Sequence, residues 1–397
     1  MKNKNLPIRL VENTKKIDRI VVFGSKYHTE NIRSTFLKLK EKYKIECFNE
    51  TFKLECKPTN KEKIITVFLE NIFDHNSLVN LLKSDKIFQI KSNKKNIYCL
   101  ITTIPEVIKT IDELYNYFNS NNLDIKVLEK IDYIFHFNGN QTLYPTILNL
   151  IEDKINFRYD NERLILVVED TPVYYSSFLQ TIYKINSKRT RILLARNFEE
   201  ADYIIDNYSS RLAGTIIDLS FPKEGKQNEN ASWELKNKID KMDLKIPIIF
   251  QSADEYKIKR IESEGQVFAL YKDDPELTYK LSNIINRFFG FGLFEVRLPY
   301  GDKRTIAKIK DLKQLKVFIE ISEPDILVGH ARYNDFSNWL AVQGYKNIAK
   351  RLKPIDPFEI MQKLKRKYPN LNEEEVYYKA VEIMRQMILK IIEKEST

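Results

Sequence analysis

Leu164-Ile165-Leu166-Val167-Val168-Glu169-Asp170 runs five consecutive apolar residues straight into two carboxylates. A strand that is apolar at every position has to be covered on both faces, which is the situation of a central strand in a parallel sheet. Similar short runs follow at 191–195 (RILLA), 215–217, 246–251 (IPIIFQ) and 267–270, and the spacing predicts a helix over 276–288. Strands that alternate with amphipathic segments build an open parallel sheet with helices on both sides.

The same pattern stands upstream, at 19–23 (RIVVF), 64–69 (IITVFL), 97–102 (IYCLIT) and 133–137 (YIFHF). Between them Ile108, Ile111, Leu114, Tyr115 and Phe118 carry helical spacing. The two halves align at their ends: Val21-Val22-Phe23-Gly24 lies opposite Val167-Val168-Glu169-Asp170, and Asn138 lies opposite Lys272. An internal repeat of roughly domain size follows. The expected class is α/β, with two tandem doubly wound (βα)5 parallel sheets, then a small α+β module and a helical tail. The expected boundaries are an N-terminal segment at 1–16, a first β/α domain at 17–160, a second at 161–290, the module at 291–355 and the tail at 356–397.

Composition narrows the function classes. Of the 397 residues, 43% are hydrophobic and 12% aromatic, with only 10 glycines, which excludes a disordered chain. The net charge is +10, but the basic residues are spread along the chain among acidic ones. No localised footprint for nucleic acid results, so nucleic acid is not an expected partner. Cys47, Cys56 and Cys99 with His28, His75, His136 and His330 are too scattered for a zinc site, and fit buried thiols in a reducing compartment. The start of the chain carries no apolar leader, and no run of about 18 apolar residues occurs. The expectation is a cytoplasmic protein without a membrane span.

The chemistry concentrates in the second repeat. Glu169 and Asp170 end its first strand, Asp218 its third, Ser252 its fourth, and Lys272 follows its fifth. In an open parallel sheet the carboxyl edge is where ligands bind. Carboxylates gathered there repel one another and call for a divalent cation; hard oxygen donors suit Mg²⁺. Asp218 then serves as a nucleophile toward phosphorus, with Lys272 and Ser252 answering charge on the phosphoryl oxygens.

Val167-Val168-Glu169-Asp170-Thr171-Pro172, Asp218-Leu219-Ser220-Phe221-Pro222 with Gly225, Ser252-Ala253 and Lys272, in this order, resemble the signature of two-component receiver domains across 163–289. The resemblance implies a flavodoxin-like sheet of order 2-1-3-4-5. It implies phosphoryl transfer from a histidine kinase or phosphotransfer protein to Asp218. It also implies Mg²⁺ held by Asp170, Asp218 and the Ser220 carbonyl, with Glu169 acting through water. Chemistry beyond phosphoryl acceptance and its hydrolysis is not implied. Two departures bear on readout: Asp273 follows Lys272 in place of proline, and Ala269 occupies the usual aromatic position, with Phe268 one residue early.

In the first repeat Phe23 and Gly24 replace the acidic pair, Asn138 replaces the lysine, and only Thr102 or Thr103 survives. That pattern reads as a pseudo-receiver that packs, binds a partner or dimerises.

Downstream, 294–298 with Pro299-Tyr300-Gly301-Asp302 and 305–306 predicts a hairpin, followed by helices over 311–319 and from about 336. His330 could be a base or phosphotransfer histidine. With no companion carboxylate visible, the structural reading is preferred, with Asp335 as helix cap and Phe336, Trp339 and Leu340 in the core. Asp356-Pro357 and Asn372 with Glu375 predict two helix starts, and Val376, Ala380, Ile383, Met387 and Ile391 mark an apolar stripe suited to docking or dimerisation. The segment 291–354 resembles a small domain found beside tandem receivers at the N-terminus of some bacterial phosphoenolpyruvate-synthase-like proteins, whose catalytic domains this chain lacks.

Three functions follow as expectations. The first is a phosphorylation-responsive signalling protein acting on a protein effector, with a possible homodimer through a receiver face or the tail. The second is a constitutive scaffold, and the third a regulatory subunit of a separate phosphotransferase.

Overall fold

The computed structural model describes residues 131–160, 162–185, 190–264, 268–299 and 304–396. It also describes residues 17, 19–23, 44–48, 64–71, 95–102 and 119–120. One compact unit gathers Met1–Asp160 and Glu169–Lys184, and the other gathers Asn161–Val168 and Ile185–Thr397. The predicted segments at 1–16 and 108–118 lie outside the described residues, as do His28, His75, Cys56, Gly24 and Thr103.

The first unit holds five parallel strands: β1 (Arg19–Phe23), β2 (Lys44–Phe48), β3 (Ile64–Asn71), β4 (Lys95–Thr102) and β5 (Tyr133–His136). Their order is β2-β1-β3-β4-β5, with every neighbouring pair parallel. From Ile97 to Thr102 every side chain of β4 is buried, including the free thiol of Cys99, as a strand covered on both faces requires. Strand β2 was not among the strands expected. Its sequence KIECF puts Lys44 and Glu46 inside the run and so breaks the unbroken apolar pattern that marked the others.

Helix α1 (Leu143–Asn156) follows β5, and α2 (Pro172–Ile185) packs in the same unit through residues up to Lys184. Tyr175 of α2 donates its hydroxyl to the Ile134 carbonyl and meets Phe135 edge to face at 5.6 Å. Tyr183 donates to Asp153 Oδ2 at 2.8 Å, and the His136 N–H donates to Ser176 Oγ at 2.9 Å. Buried polar groups on this helix are thus answered one by one, as burial demands.

The second unit carries β6 (Arg163–Val168), β7 (Thr190–Ala195), β8 (Leu212–Asp218), β11 (Ile248–Ser252) and β12 (Phe268–Tyr271) in one sheet of order β12-β11-β8-β6-β7. All neighbours are parallel. Counted along each five-stranded sheet, the order is 2-1-3-4-5, compatible with a flavodoxin-like architecture. Helices α3 (Phe198–Tyr208), α4 (Ala231–Lys241), α5 (Glu255–Glu264) and α6 (Leu277–Phe288) connect or follow these strands. Between β8 and α4 stands a hairpin that the sequence reading passed over, β9 (Phe221–Lys223) and β10 (Lys226–Asn228). Its turn residues Glu224 and Gly225 both have positive φ (53° and 74°), the backbone that a two-residue hairpin connection uses. Gly225 was the available signal.

Beyond the sheet, β13 (Phe294–Arg297) and β14 (Thr305–Ile309) form the expected antiparallel hairpin. Six helices follow: α7 (Leu312–Ile321), α8 (Pro324–Arg332), α9 (Asp335–Gln343), α10 (Lys346–Leu352), α11 (Pro357–Lys367) and α12 (Glu373–Ser396). Helices α8 and α10 were not expected, although Pro324 at the first helical position with Asp325 behind it is a start signal. Phe294, Trp339 and Leu340 share one core with Val381, Met384, Ile388 and Ile392.

That core corrects the stripe expected on α12. Val376 and Ala380 of that stripe are buried with Leu364 as expected, but Ile383 is 37% and Met387 41% exposed, while Val381, Met384, Ile388 and Ile392 are buried. Two apolar paths run along this helix one residue apart, which rotates them by about 100°; beyond Ala380 the tertiary core takes the second. Arg385, read as part of the polar face, caps α7 instead, donating to the carbonyls of Glu320 at 3.1 Å and Ser322 at 2.8 Å.

Both predicted caps at the end of the chain are present. Asn372 and Glu375 exchange side-chain-to-backbone bonds at 2.9 Å in each direction. Asp356 Oδ1 accepts from Phe358 N at 2.8 Å, and Oδ2 pairs with Lys245 at 3.0 Å, so its carboxyl sits below the usual range despite partial burial. Asp356→Ala should cost ~1 kcal/mol, mostly through the lost cap, since the half-exposed ion pair adds little. Urea unfolding measures it, with Asp356→Asn, which keeps the cap, losing clearly less.

Candidate functional site

Strand β8 is buried along its whole length, and its last residue is Asp218. Parallel pairing places Gln251 of β11 beside Asp218, and Tyr271 of β12 beside Ser252. The Leu219 N–H donates to the Gln251 carbonyl at 2.9 Å, and the Lys272 N–H to the Ser252 carbonyl at 2.8 Å. These bonds carry the ladder one step past the strand ends. They bring Asp218, Ser252 and Lys272 to one edge of the sheet.

Lys272 Nζ lies 2.8 Å from Asp218 Oδ2, with both side chains almost fully buried. Burial pushes the Asp218 carboxyl up; the Lys272 ammonium and the backbone N–H groups of Ser220 and Leu219 pull it the other way. Gln251, whose carbonyl holds the Leu219 N–H beside Asp218, is the neighbour of the site that sequence reading missed. A backbone contact leaves no mark in residue type.

Glu169 and Asp170 continue the peptide chain of β6 directly. Both are buried, and carboxylate oxygens of Glu169, Asp170 and Asp218 lie within 4.8 Å of one another. Glu169 Oε1 also accepts from the Thr171 N–H at 3.1 Å, which orients it at the start of the turn into α2. The Ser252 hydroxyl accepts from Asp254 N at 3.0 Å, a local turn at the start of α5, and so keeps its own proton to donate. Among the described residues this is the one group of three or more acidic, histidine or cysteine side chains placed close enough to share a cation.

His330 is placed differently from either expectation. Its Nε2 accepts from the Arg297 N–H at 3.0 Å, and its Nδ1 lies 2.7 Å from Asp335 Oδ2. A companion carboxylate therefore exists. The accepting Nε2 puts the proton on Nδ1, and neither ring nitrogen is left for catalysis. Asp335 is not the helix cap: that position belongs to Asn334, in left-handed backbone and without a side-chain cap bond. Asp335 was diverted to His330 and Arg297, whereas Phe336, Trp339 and Leu340 are buried as expected. Asn138 is exposed just past β5, and Thr102 is buried at the end of β4.

No family model and no curated protein matches this chain. Among solved structures it is similar to the C-terminus of Escherichia coli RcsC, which contains a linker region and a phosphoreceiver domain. The identity is 10%, over 69% of this chain and 95% of that one, with a TM-score of 0.25. A putative sugar binding protein from Salmonella typhimurium LT2 is 11% identical over 67% of this chain and 86% of that one, with a TM-score of 0.20. Scores of that size do not establish a common fold. The architecture rests on strand order, and the site on its own distances. No helix among the described residues is long and apolar enough to cross a membrane.

Proposed function

We propose that the second sheet is a receiver domain that accepts a phosphoryl group on Asp218 in a Mg²⁺-dependent reaction and signals through protein–protein contacts. The observation that carries this reading is the convergence of three buried carboxylates with the Lys272 ammonium at one sheet edge. The donor set fits the ion: hard carboxylate oxygens, crowded so that a divalent cation relieves their repulsion. Asp170, Asp218 and the Ser220 carbonyl would hold it, with Glu169 through water. When bound it supplies positive charge to the phosphoryl oxygens.

The rest is done by the chain. An Asp218 oxygen attacks phosphorus, the bond from phosphorus to the donor breaks, and the leaving group departs with the electron pair. Lys272 follows the transferred charge, and Ser252 donates its hydroxyl to a phosphoryl oxygen. Burial raises the Asp218 carboxyl, and the buried Lys272 ammonium is the first group opposing that rise.

On this reading the first sheet is a pseudo-receiver, because Phe23, Gly24 and Asn138 stand where carboxylates and lysine are needed. The proposed domain boundaries, a cytoplasmic location and a histidine kinase or phosphotransfer protein as donor follow from it.

Phosphoramidate with Mg²⁺ should label the wild-type chain with a hydroxylamine-sensitive phosphoryl group. Chelation or Asp218→Asn should abolish the label. An unlabelled wild type would sink the proposal.

One observation favours a second reading, a scaffold that does not switch. Ala269 is buried where an aromatic readout residue is expected, and the Phe268 ring is engaged by Phe288 at 4.4 Å. Unchanged oligomeric state and partner binding with beryllofluoride would support it.

A further inference from the structure

At the amino-terminal end of β11 and β12, away from the edge that carries Asp218, the second unit contains a cavity of about 710 Å³. That volume falls inside the range of small-molecule sites, about 300–1,000 Å³. Its apolar walls are Leu244, Ile246 and Ile248 around the start of β11, Phe268 at the start of β12, Phe288 of α6 and Leu298 after β13. Leu244 and Ile248 are buried, while Ile246, Phe268, Phe288 and Leu298 are only half-buried by the rest of the chain. An apolar body that displaces water from such side chains is favoured by the area it covers.

Charge on the wall points the same way, because every cation there already has a carboxylate. Lys236 pairs with Asp240 at 2.6 Å, and Lys245 with Asp356 at 3.0 Å and Asp243 at 3.4 Å. Arg287 pairs with Glu295 at 2.6 Å and Arg297 with Asp335 at 2.8 Å. His330 is occupied on both ring nitrogens, by the Arg297 N–H and by Asp335. An ionic ligand would give up its hydration here and find no free counter-charge, whereas an uncharged one gives up little. The lip is also held in costly backbone. Lys245, between Leu244 and Ile246, has a φ of 47°, the left-handed region that a residue with a side chain keeps only where its surroundings hold it. Its two carboxylate partners hold it by the ammonium.

We propose that this cavity binds an uncharged, largely apolar small molecule, with a ring-sized body against Phe268, Phe288 and Leu298. Tyr333, exposed on the wall, brings an uncharged hydroxyl for one polar contact. Sheet and module both line the site, so occupancy joins the starts of β11 and β12 to the hairpin that follows α6. The inference does not rest on phosphoryl acceptance at Asp218.

The probe is N-phenyl-1-naphthylamine, uncharged at neutral pH and titrated by fluorescence; 1-anilinonaphthalene-8-sulfonate is the same body with an anion added. The uncharged probe should saturate at one per chain. The sulfonate should bind at least ~10-fold more weakly, the scale of one unanswered charge. Ile246→Trp fills the space from a half-buried position and should weaken the uncharged probe at least ~10-fold. Leu298→Lys puts an unpaired cation on the wall; it should weaken the uncharged probe too and narrow its lead over the sulfonate. Unfolding midpoints establish that each variant is folded. Should either fail to fold, photolysis of benzophenone with the wild-type chain decides. The inserted label should map to 244–248, 268 or 298–299, and its yield should fall when N-phenyl-1-naphthylamine is added. The proposal is overturned by no saturable binding, by a sulfonate that binds as tightly as the uncharged probe, by unchanged binding in both folded variants, or by label placed elsewhere.

Discussion

Lys272→Ala is expected to cost ~3–5 kcal/mol of folding stability near neutral pH, because it strands a carboxylate in a site with no water to receive it. The pair it breaks is 2.8 Å long, and its two side chains are 3% and 8% exposed, so solvent screening does not soften the loss. Its pH dependence has a defined sign. Burial already raises the Asp218 carboxyl, and Lys272 is the first of the groups opposing that rise. Without it the folded-state value climbs further above the unfolded value of about 4. A group raised in this way holds its proton in the folded state after the unfolded chain has released it. Stability is therefore fully present below the unfolded value and is lost as pH rises through the folded one. Urea unfolding with chelator present should show the variant falling progressively away from wild type as pH rises above the unfolded carboxyl value of about 4. The double variant Asp218→Leu with Lys272→Met should recover most of the loss, since replacing both partners removes the stranded charge. A single variant within ~1 kcal/mol of wild type at neutral pH would mean that Asp218 and Lys272 are not the buried pair described.

What the sequence disclosed about this site follows a simple division. Side chains at strand ends were legible because each strand of the second sheet is a short apolar run, and the polar residue that ends it stands out. Glu169, Asp170, Asp218 and Ser252 each follow such a run, and parallel pairing then brings their strand ends to one edge. Strand β2 was lost for the converse reason, since Lys44 and Glu46 interrupt its run. Groups whose role depends on backbone direction were not legible at all. The Leu219 N–H is held on the Gln251 carbonyl by the pairing of β8 with β11, which no residue type announces. Long-range pairing was hidden too. His330 and Asp335 are only five residues apart, yet Asp335 was read as a helix cap, and its pairing with Arg297 from a hairpin far upstream left no mark in the sequence.

The C-terminal helix shows the limit of periodicity. Its amphipathic spacing was present, but two stripes one residue apart satisfied it, and the sequence contained nothing to choose between them. The choice belongs to the core of Phe294, Trp339 and Leu340, which takes Val381, Met384, Ile388 and Ile392. Ile383 and Met387 are left partly exposed on its outer side.

Phe289→Ala should lower stability by ~3–5 kcal/mol, since a fully buried ring is exchanged for a cavity. The ring occupies a place the sequence reserves for it. Gly214 on β8 has no side chain, and a Cβ there would stand 2.5 Å from Phe289 Cζ. Gly214→Ala must therefore displace the ring, and overpacking of this kind costs ~1–3 kcal/mol. The two losses should not add. Once the ring is gone, the alanine methyl enters free space and fills part of the cavity, so the double variant should be more stable than the sum by at least ~1 kcal/mol. Strictly additive values would show that ring and glycine do not share the space. The same series separates fold from chemistry. Gly214 lies four residues before Asp218 on the same strand, while Lys272 pairs with Asp218 at the far end. Under conditions where each variant stays folded, phosphoryl labelling per folded molecule should match wild type. A label lost in step with the packing defect would mean that β8 transmits strain along its length to the carboxylate it ends in.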